Sequence, residues 1–284
     1  KPAVRFAQKV AEDEFDVKML RWVTVAPDGE RVVYQALGRI YVRNLPDGIP
    51  RRLTAQETDF EFCPSFSRDG RYVVYTTWND QTLGSVRVAS VDPDQNENWI
   101  VTAEPGHFID PVFSPDGDLI VYRKLSGGGV TSPLWSRESG LYSIPTRDGE
   151  GTRISKSGVR PQFGKTGERV FFMKRNSEKE ADNLQLCSVD MTGNEERTHY
   201  SSVWATDFRI SPDSKTIAFI ERFHVHVTPF VESGRAIKVG PDAKGLPTRR
   251  ISSEAGDFIH FSGDSGKVHW CLGADLFTSD ISKA

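Results

Sequence analysis

Short runs of apolar and β-branched residues alternate with polar turns along almost the whole chain. One unit returns six times, in which an apolar stretch leads into a tight turn of the type Ser-Pro-Asp-Gly. The six turns lie 41 to 51 residues apart and end at Gly29, Gly70, Gly117, Gly167, Ser214 and Ser265. A repeat of this length is typical of propellers and solenoids.

Residues 58–102 show what one repeat contains. A first strand ends at the turn Arg68-Asp69-Gly70, where Asp and Gly suit the backbone of a tight turn. The second strand, residues 71–77, is apolar nearly throughout, which indicates burial on both faces. Residues 85–91 alternate as a third strand, and residues 99–102 form a fourth. The repeat therefore predicts a four-stranded antiparallel sheet.

The same plan fits six segments, and they predict one all-β domain over residues 1–284. The predicted blades are residues 20–54, 58–102, 107–155, 158–199, 203–251 and 257–281. Six such sheets arranged radially form a six-bladed β-propeller. The last segment has only three strands, so the alternating residues 1–12 are predicted to supply the fourth and close the ring. Closure removes an open sheet edge.

Composition narrows the range of partners. The net charge is −3 and the 284 residues hold no basic stripe, so nucleic acid is not an expected partner. No run of 18 apolar residues occurs, so no membrane span is predicted. The three cysteines stand in three different repeats and are predicted to be buried thiols without a disulfide framework.

Several segments carry a resemblance to a known family. They are Pro27–Val33, Leu37–Val42, Phe113–Gly117, the loop from Gly127 to Trp135, and Arg160–Gly164. They resemble TolB-like propellers, and more closely the bacterial proteins that join TolB-like propellers to a metal-dependent amidohydrolase domain. The resemblance covers essentially the whole chain, although the fourth turn departs from it at Lys165-Thr166. It implies a propeller module of a periplasmic or secreted hydrolase, whose catalytic domain lies outside these residues.

Two short motifs suggest catalytic chemistry, and we interpret both as structural. His224-Val225-His226 places two imidazoles on one face of a strand, as in some zinc sites, but lacks the further ligands that such a site needs. Gly263-Asp264-Ser265-Gly266 matches the surroundings of a protease nucleophile, yet it occupies the sixth turn. We therefore expect no catalytic residue, metal or cofactor in this segment.

The candidate ligand-binding residues cluster at one end of the predicted central channel. The first strand of each blade lines this channel, and seven positions before the end of each turn stand Trp22, Cys63, Asp110, Arg160, Asp207 and Phe258. With their neighbours they give a candidate site of Glu61, Trp78, His107, Asp110, Trp135, Arg160 and Asp207. This polar mouth is either a site for a small polar or cationic ligand or simply a solvated opening.

Two long connections interrupt the repeats, and three functions remain open. The glycine-rich loop over residues 125–138 is either functional or disordered, and residues 227–250 are predicted to be a structural insertion. The first function is a non-catalytic module that recognises substrate or docks an adjacent domain. The second is a stand-alone TolB-like module that contacts envelope proteins. The third is a propeller lyase or glycosidase that uses mouth carboxylates as acid and base.

Overall fold

A computed structural model describes residues 14–95, 97–125, 138–176, 183–240, 243 and 245–282. In this part of the chain every regular element is a β-strand, and the strands form six sheets. No helix here is long and apolar enough to cross a membrane. The predicted closing strand, residues 1–12, and the segment Gly127–Trp135 lie outside the described residues.

The first three blades each have four antiparallel strands that follow one another in sequence. Blade one consists of β1 (Arg21–Val25), β2 (Arg31–Ala36), β3 (Arg39–Asn44) and β4 (Arg51–Arg52). Blade two consists of β5 (Phe60–Phe66), β6 (Tyr72–Trp78), β7 (Val86–Ser90) and β8 (Asn98–Ile100). Blade three consists of β9 (Phe108–Phe113), β10 (Leu119–Lys124), β11 (Gly140–Pro145) and β12 (Thr152–Ser155).

The last three blades keep this order with two variations. Blade four consists of β13 (Val159–Phe163), β14 (Arg169–Asn176), β15 (Asn183–Asp190) and β16 (Arg197–Ser202). Blade five consists of β17 (Ala205–Ile210), β18 (Thr216–Glu221), β19 (His224–Pro229) and β21 (Arg249–Arg250). The short β20 (Ile237–Lys238) pairs in parallel with β16, and blade six has β22 (Asp257–Phe261), β23 (Lys267–Leu272) and β24 (Asp275–Asp280) in the described part.

The first strands of the six blades form a closed ring around a central channel. Each contacts the first strand of the next blade, and β22 contacts β1, which completes the circle. Between blades six and one, the Leu20 N–H also donates to the Gly273 carbonyl at 3.0 Å. The predicted all-β, six-bladed propeller is confirmed.

The core lies between the blades. The described buried apolar residues form six clusters, one for each blade interface, because each inner sheet face packs on its neighbour. Between blades one and two, Tyr75 packs with Ile40 and Val33, and all three are fully buried. The nearly continuous apolar second strands therefore supply the core, as their pattern predicts.

The repeated turns are stabilised by a local hydrogen-bond set. In the turn of blade three, Ser114 Oγ donates to Asp116 Oδ1, which also accepts the Asp118 N–H at 3.2 Å. The Leu119 N–H donates to Ser114 Oγ at 2.9 Å, and Gly117 takes a φ of 81° that favours glycine. The hydrogen bond from Ser114 lowers the pKa of Asp116. The turns of blades two, five and six repeat the Ser-to-Asp bond.

The long connection in blade five joins that blade to blade four. Its strand β20 pairs with Tyr200 and Ser201 of β16 and so covers the outer edge of blade four. The Val231 N–H donates to Tyr200 Oη at 2.7 Å, and Phe230 packs against the ring of Tyr200. The described part of residues 227–250 thus forms a link between two blades.

Candidate functional site

All six first strands carry a β-bulge at the level where the channel opens. In five blades two bulged residues oppose one residue of the second strand, and in blade five the register shifts between Ala205 and Asp207. The first bulged residue has a left-handed backbone in those five blades, with φ between 47° and 54°, at Trp22, Cys63, Asp110, Arg160 and Phe258. Such angles are unfavourable for residues other than glycine, so the packed ring must hold them in place.

Proline fits the second bulged position. A bulge leaves one residue outside the ladder, and its N–H then lacks a strand partner. Pro64, Pro111 and Pro161 occupy this position in blades two, three and four, and proline has no N–H to leave unpaired. A repeated X-Pro pair inside a strand is therefore a sequence signal for these bulges.

The predicted channel residues Asp110, Arg160 and Asp207 do come together. Asp207 is 1% exposed, and its Oδ2 accepts a hydrogen bond from Arg160 Nη1 at 2.5 Å. Asp110 Oδ2 accepts the Arg160 backbone N–H at 3.2 Å. The charge of Asp207 raises the pKa of Arg160, and Asp110 adds to the effect. A cation and two carboxylates from three blades thus meet at the bulge level.

A second ring of side chains lies two residues further along each first strand, and sequence reasoning missed it. These positions are Thr24, Ser65, Val112, Gln162, Arg209 and His260. All except Gln162 line the channel cavity, together with every bulge-level residue of the first ring except Asp207, namely Trp22, Cys63, Asp110, Arg160 and Phe258. These positions can be counted in the sequence, but the bulge changes the regular alternation of the strand, so only the structure shows which face they share with the first ring. Counting two residues on from Asp207 and Phe258 gives Arg209 and His260.

Two members of the second ring join neighbouring blades. Gln162 Oε1 accepts the Ile210 N–H at 2.8 Å, and His260 Nε2 accepts the Val25 N–H at 2.8 Å across the junction of blades six and one. His260 Nδ1 then donates to the Phe258 carbonyl at 2.9 Å, so the ring is neutral. Burial, with a contribution from the neighbouring His269, lowers the pKa of His260 to about 3.

Two spaces that have wall residues in common surround these residues. The channel cavity has a volume of ≈ 140 Å³ and is lined by residues of all six blades. A second space of ≈ 490 Å³, the mouth groove, lies between the ends of blades five, six and one, and has Met19, Phe223 and Leu272 in its walls. Arg160 and Phe258 line both spaces. We call the charged part of the channel at Asp110, Arg160 and Arg209 the neck. A ligand at the mouth therefore meets the apolar walls of the mouth groove and, below them, the charged neck.

The turn end of the channel is built differently. The Lys165 N–H donates to Ser214 Oγ at 2.7 Å, and the Asp213 N–H donates to Ser265 Oγ at 3.0 Å, so adjacent turns are bonded to each other. The Arg68 guanidinium of blade two donates to the Gly164 carbonyl of blade four. Because blade three separates these two blades, this side chain crosses the turn end of the channel. The described groups point to the mouth as the open end.

Among the described residues of the predicted site, Glu61, Trp78, His107 and the buried Asp207 do not line the channel cavity or the mouth groove. Glu61 is fully buried between blades one and two, where it accepts hydrogen bonds from Ile40 N–H and Gln56 Nε2, both at 2.8 Å, and from Thr54 Oγ1. Glu61 is therefore misplaced in the predicted mouth, because its side chain faces the neighbouring blade. Trp78 and His107 pack on each other with ring centroids 4.9 Å apart. Trp135 lies outside the described residues.

The remaining histidines and the cysteines lie in the protein interior or against neighbouring rings. His226 is buried and stacks on Phe219, and its Nδ1 bonds to the His224 carbonyl at 3.0 Å. Among the described residues no group of three or more His, Cys, Asp or Glu side chains is placed to hold a metal ion. Cys63, Cys187 and Cys271 are free and buried, and burial raises the pKa of Cys271 to about 11.

Comparison with known proteins identifies solved structures with a similar fold. The sequence matches no protein-family model and no curated protein at a significant level. TolB from Acinetobacter baumannii has a similar structure, with 16% identity and a TM-score of 0.60 over 84% of this chain and 55% of that one. A putative TolB from Agrobacterium tumefaciens gives 15% identity and a TM-score of 0.64 over 92% of this chain and 89% of that one.

A third similar structure is an enzyme. An oligogalacturonate lyase in complex with manganese gives 10% identity and a TM-score of 0.61 over 91% of this chain and 76% of that one. This chain spans about half the length of the Acinetobacter TolB structure. At these identities the likeness establishes a TolB-like six-bladed propeller fold, and function has to be argued from the site.

Proposed function

We propose that this chain is a non-catalytic recognition module, which binds a substrate or partner at its channel mouth on behalf of a larger periplasmic or secreted hydrolase. The observation that carries the proposal is the mouth itself, where a charged neck and an apolar groove share Arg160 and Phe258 as walls. The location and the hydrolase follow from the resemblance to propellers that precede amidohydrolase domains.

The state of the polar groups in the channel supports binding over catalysis. A general base needs a carboxylate or imidazole free to reach a substrate proton. Asp207 is almost fully buried and paired with Arg160, and His260 Nε2 already accepts the Val25 N–H. Asp110 also receives a backbone hydrogen bond. These groups are better suited to hold the neck in shape than to exchange protons with a ligand.

The structural likeness to TolB favours a variant of the same proposal. A stand-alone module that contacts envelope proteins would use the same face, but its partner would be a separate protein rather than a domain of the same polypeptide. The two versions differ in what lies against Phe223 and Leu272, which are exposed large apolar residues at the mouth groove.

The lyase neighbour favours an enzyme as the second candidate. We would test it by incubating the isolated chain with oligogalacturonate and Mn²⁺, and separately with amide and ester substrates, and by following product formation. The recognition module should give no turnover with any of them. Turnover that disappears in an Asp110→Asn variant would instead assign the channel a catalytic role.

The binding role is tested in the larger hydrolase to which we propose this chain belongs. We expect Phe223→Asn to raise the KM of its hydrolase activity with kcat unchanged, because the groove takes part in binding and not in the chemical step. Asparagine tolerates the φ of 72° that Phe223 adopts. The matched control is Ile49→Asn, which changes a 90% exposed residue between β3 and β4 at the turn end. A change in kcat alone would contradict the proposal.

A further inference from the structure

The channel neck holds more hydrogen-bond donors than its own acceptors use. A guanidinium carries five N–H donors and stays charged at all physiological pH values. Arg160 uses one donor of its side chain on Asp207. The guanidinium of Arg209, on the next ring, makes no hydrogen bond to the residues that the structure describes, and its buried Nε lies 3.6 Å from Asp207 Oδ1. That distance exceeds a hydrogen bond.

Two carboxylate oxygens in the neck are engaged by Arg160, and a third lies too far from Arg209 for a hydrogen bond. Asp207 Oδ2 is bonded to Arg160, and Asp110 Oδ2 receives the Arg160 backbone N–H. Asp207 Oδ1 is buried and has no hydrogen-bond donor among the described residues. The acceptor nitrogen of His260 is taken by the Val25 N–H. The donors left over belong to two guanidinium groups, which bind carboxylates well because both partners are planar.

The size of the cavity limits what fits beside these donors. Its volume of ≈ 140 Å³ has room for about five water-sized groups. This is enough for a carboxylate with one or two attached carbons, but it is too small for a sugar ring with its hydroxyls. The rest of such a ligand must extend into the mouth groove.

The mouth groove favours an apolar substituent. Met19 is 64% exposed and Phe223 is 77% exposed, and both stand in its walls with Leu272. Large apolar side chains grouped around a cavity lose contact with water when an apolar group covers them. Because Arg160 lines both spaces, an acid group at the neck and an apolar group in the groove lie within reach of one small molecule.

We propose that the channel binds a carboxylate carried on an apolar group, with the acid at Arg160 and Arg209 and the apolar part against Met19, Phe223 and Leu272. The source of the carboxylate is either a free organic acid or the C-terminus of a peptide that ends in an apolar residue. The inference rests on the recognition role proposed above and names the ligand chemistry of that same site.

The first experiment titrates the chain with 3-phenylpropionate and with 3-phenylpropanamide, by calorimetry and by NMR of the arginine Nε–H groups. The acid should bind at least about tenfold more tightly than the amide, which corresponds to about 1.4 kcal/mol. A peptide that ends in a free Leu carboxylate and the same peptide with an amidated end form the second arm. Binding of the free-ended peptide but not of 3-phenylpropionate identifies a chain terminus as the source.

Two variants test the two halves of the site separately. Arg209→Gln should reduce affinity for the acid by about tenfold or more and leave the amide unchanged. Phe223→Asn should weaken 3-phenylpropionate several-fold but leave acetate unchanged, because acetate does not reach the groove. The control is Arg222→Gln, whose guanidinium lies over the Trp204 ring and lines neither space.

Three results would overturn the inference. They are equal binding of acid and amide, an unchanged acid affinity in Arg209→Gln, and no saturable binding of any acid to the parent protein. In the last case Arg209 simply completes the charge environment of Asp207. This failure is distinct from failure of the recognition role, which is decided by turnover and by the effect of Phe223→Asn on KM.

Discussion

The two ends of the first strands differ in which features are repeated from blade to blade. At the turn end the blades repeat both backbone and side-chain chemistry, with a Ser-to-Asp hydrogen bond in four of the described turns. At the mouth end the backbone bulge repeats, but the six blades present five different side-chain types, and only Asp occurs twice. Trp22, Asp110 and Arg160 occupy equivalent positions and share a left-handed backbone.

The repeated turns therefore contribute mainly to the fold, whereas the varied mouth residues contribute mainly to the candidate site. Four of the described turns bond their Ser and Asp side chains within a few residues, so this part of the turn can form within any one blade. At the mouth, by contrast, the hydrogen-bonded ion pair joins two blades, Arg160 of blade four and Asp207 of blade five. The arrangement of the mouth residues therefore depends on the closed ring of blades. Because they are not needed to form the turns, their identities can differ from blade to blade and determine which ligand binds.

Breaking the ion pair at the mouth should have the largest effect on stability. Arg160→Ala leaves the 1% exposed carboxylate of Asp207 without its hydrogen-bonded cation and with only the more distant Arg209, which we expect to cost about 3 kcal/mol of unfolding free energy. Urea denaturation followed by circular dichroism measures the change. Adding Asp207→Asn in the same chain should recover part of it, because the unpaired charge is then removed.

The matched change at the turn end is Arg71→Ala. It removes an exposed ion pair with Asp69, and we expect stability to stay within experimental error of the parent protein. Equal losses from Arg71→Ala and Arg160→Ala would show that the two ends do not differ in the way we describe.

The same contrast explains which features of the fold and the candidate site could be predicted from the sequence alone. The turns and the apolar second strands are local patterns, so the six blades and a fully buried Tyr75 could be predicted. The first ring was found by counting back from the turns. The second ring, with Arg209 and His260, follows by one more step of two residues, and only the cavity itself shows that it lines the channel.

The errors and omissions arise from contacts between blades. Glu61 stands next to the mouth in sequence, but its side chain turns to the neighbouring blade, where Ile40 N–H and Gln56 hold it. No local pattern reveals which side of a strand faces a neighbour at a bulge, because the bulge changes the alternation. The apolar groove was missed for a similar reason, since Met19, Phe223 and Leu272 are far apart in sequence.

Mild acid should destabilise the folded protein through its buried histidines, which include His199 with a pKa lowered by burial to about 4, before it affects the turns. Burial lowers the pKa of His260 to about 3 and of His269 to about 4, so both are neutral in the folded protein. Below about pH 6.5 the unfolded chain binds protons that the folded chain excludes, so stability falls as the pH falls. The loss is about 1.4 kcal/mol per pH unit for each such group.

The turn carboxylates lose their contribution to the free energy of unfolding in a lower pH range than the histidines. The hydrogen bond from Ser114 lowers the pKa of Asp116, so its stabilising effect is present above the unfolded value of about 3.9 and is lost only below it. Urea denaturation between about pH 6 and about pH 4 therefore isolates the histidines. His260→Gln keeps an acceptor for the Val25 N–H, and we expect it to flatten the pH dependence in this range. An unchanged slope would rule out His260 as a source of the acid sensitivity.

The smallest effect should come from making the turns more alike. Ser265 takes a φ of 63° where the repeat favours glycine, and relief of that strain in Ser265→Gly contributes about 1 kcal/mol. The change also removes the acceptor of the Asp213 N–H, which costs about 0.5 to 1.5 kcal/mol, and adds the flexibility of glycine to the unfolded chain.

We therefore expect Ser265→Gly to lower the urea midpoint slightly or leave it unchanged. Gly117→Ser, in a turn whose Cβ position meets nothing within 4 Å, should destabilise by about 1 kcal/mol because it gains strain with no described hydrogen-bond partner between turns. Clear stabilisation by Ser265→Gly would mean that the bond from the Asp213 N–H contributes little. The turn end would then be held by its local hydrogen bonds alone, in full contrast to the mouth.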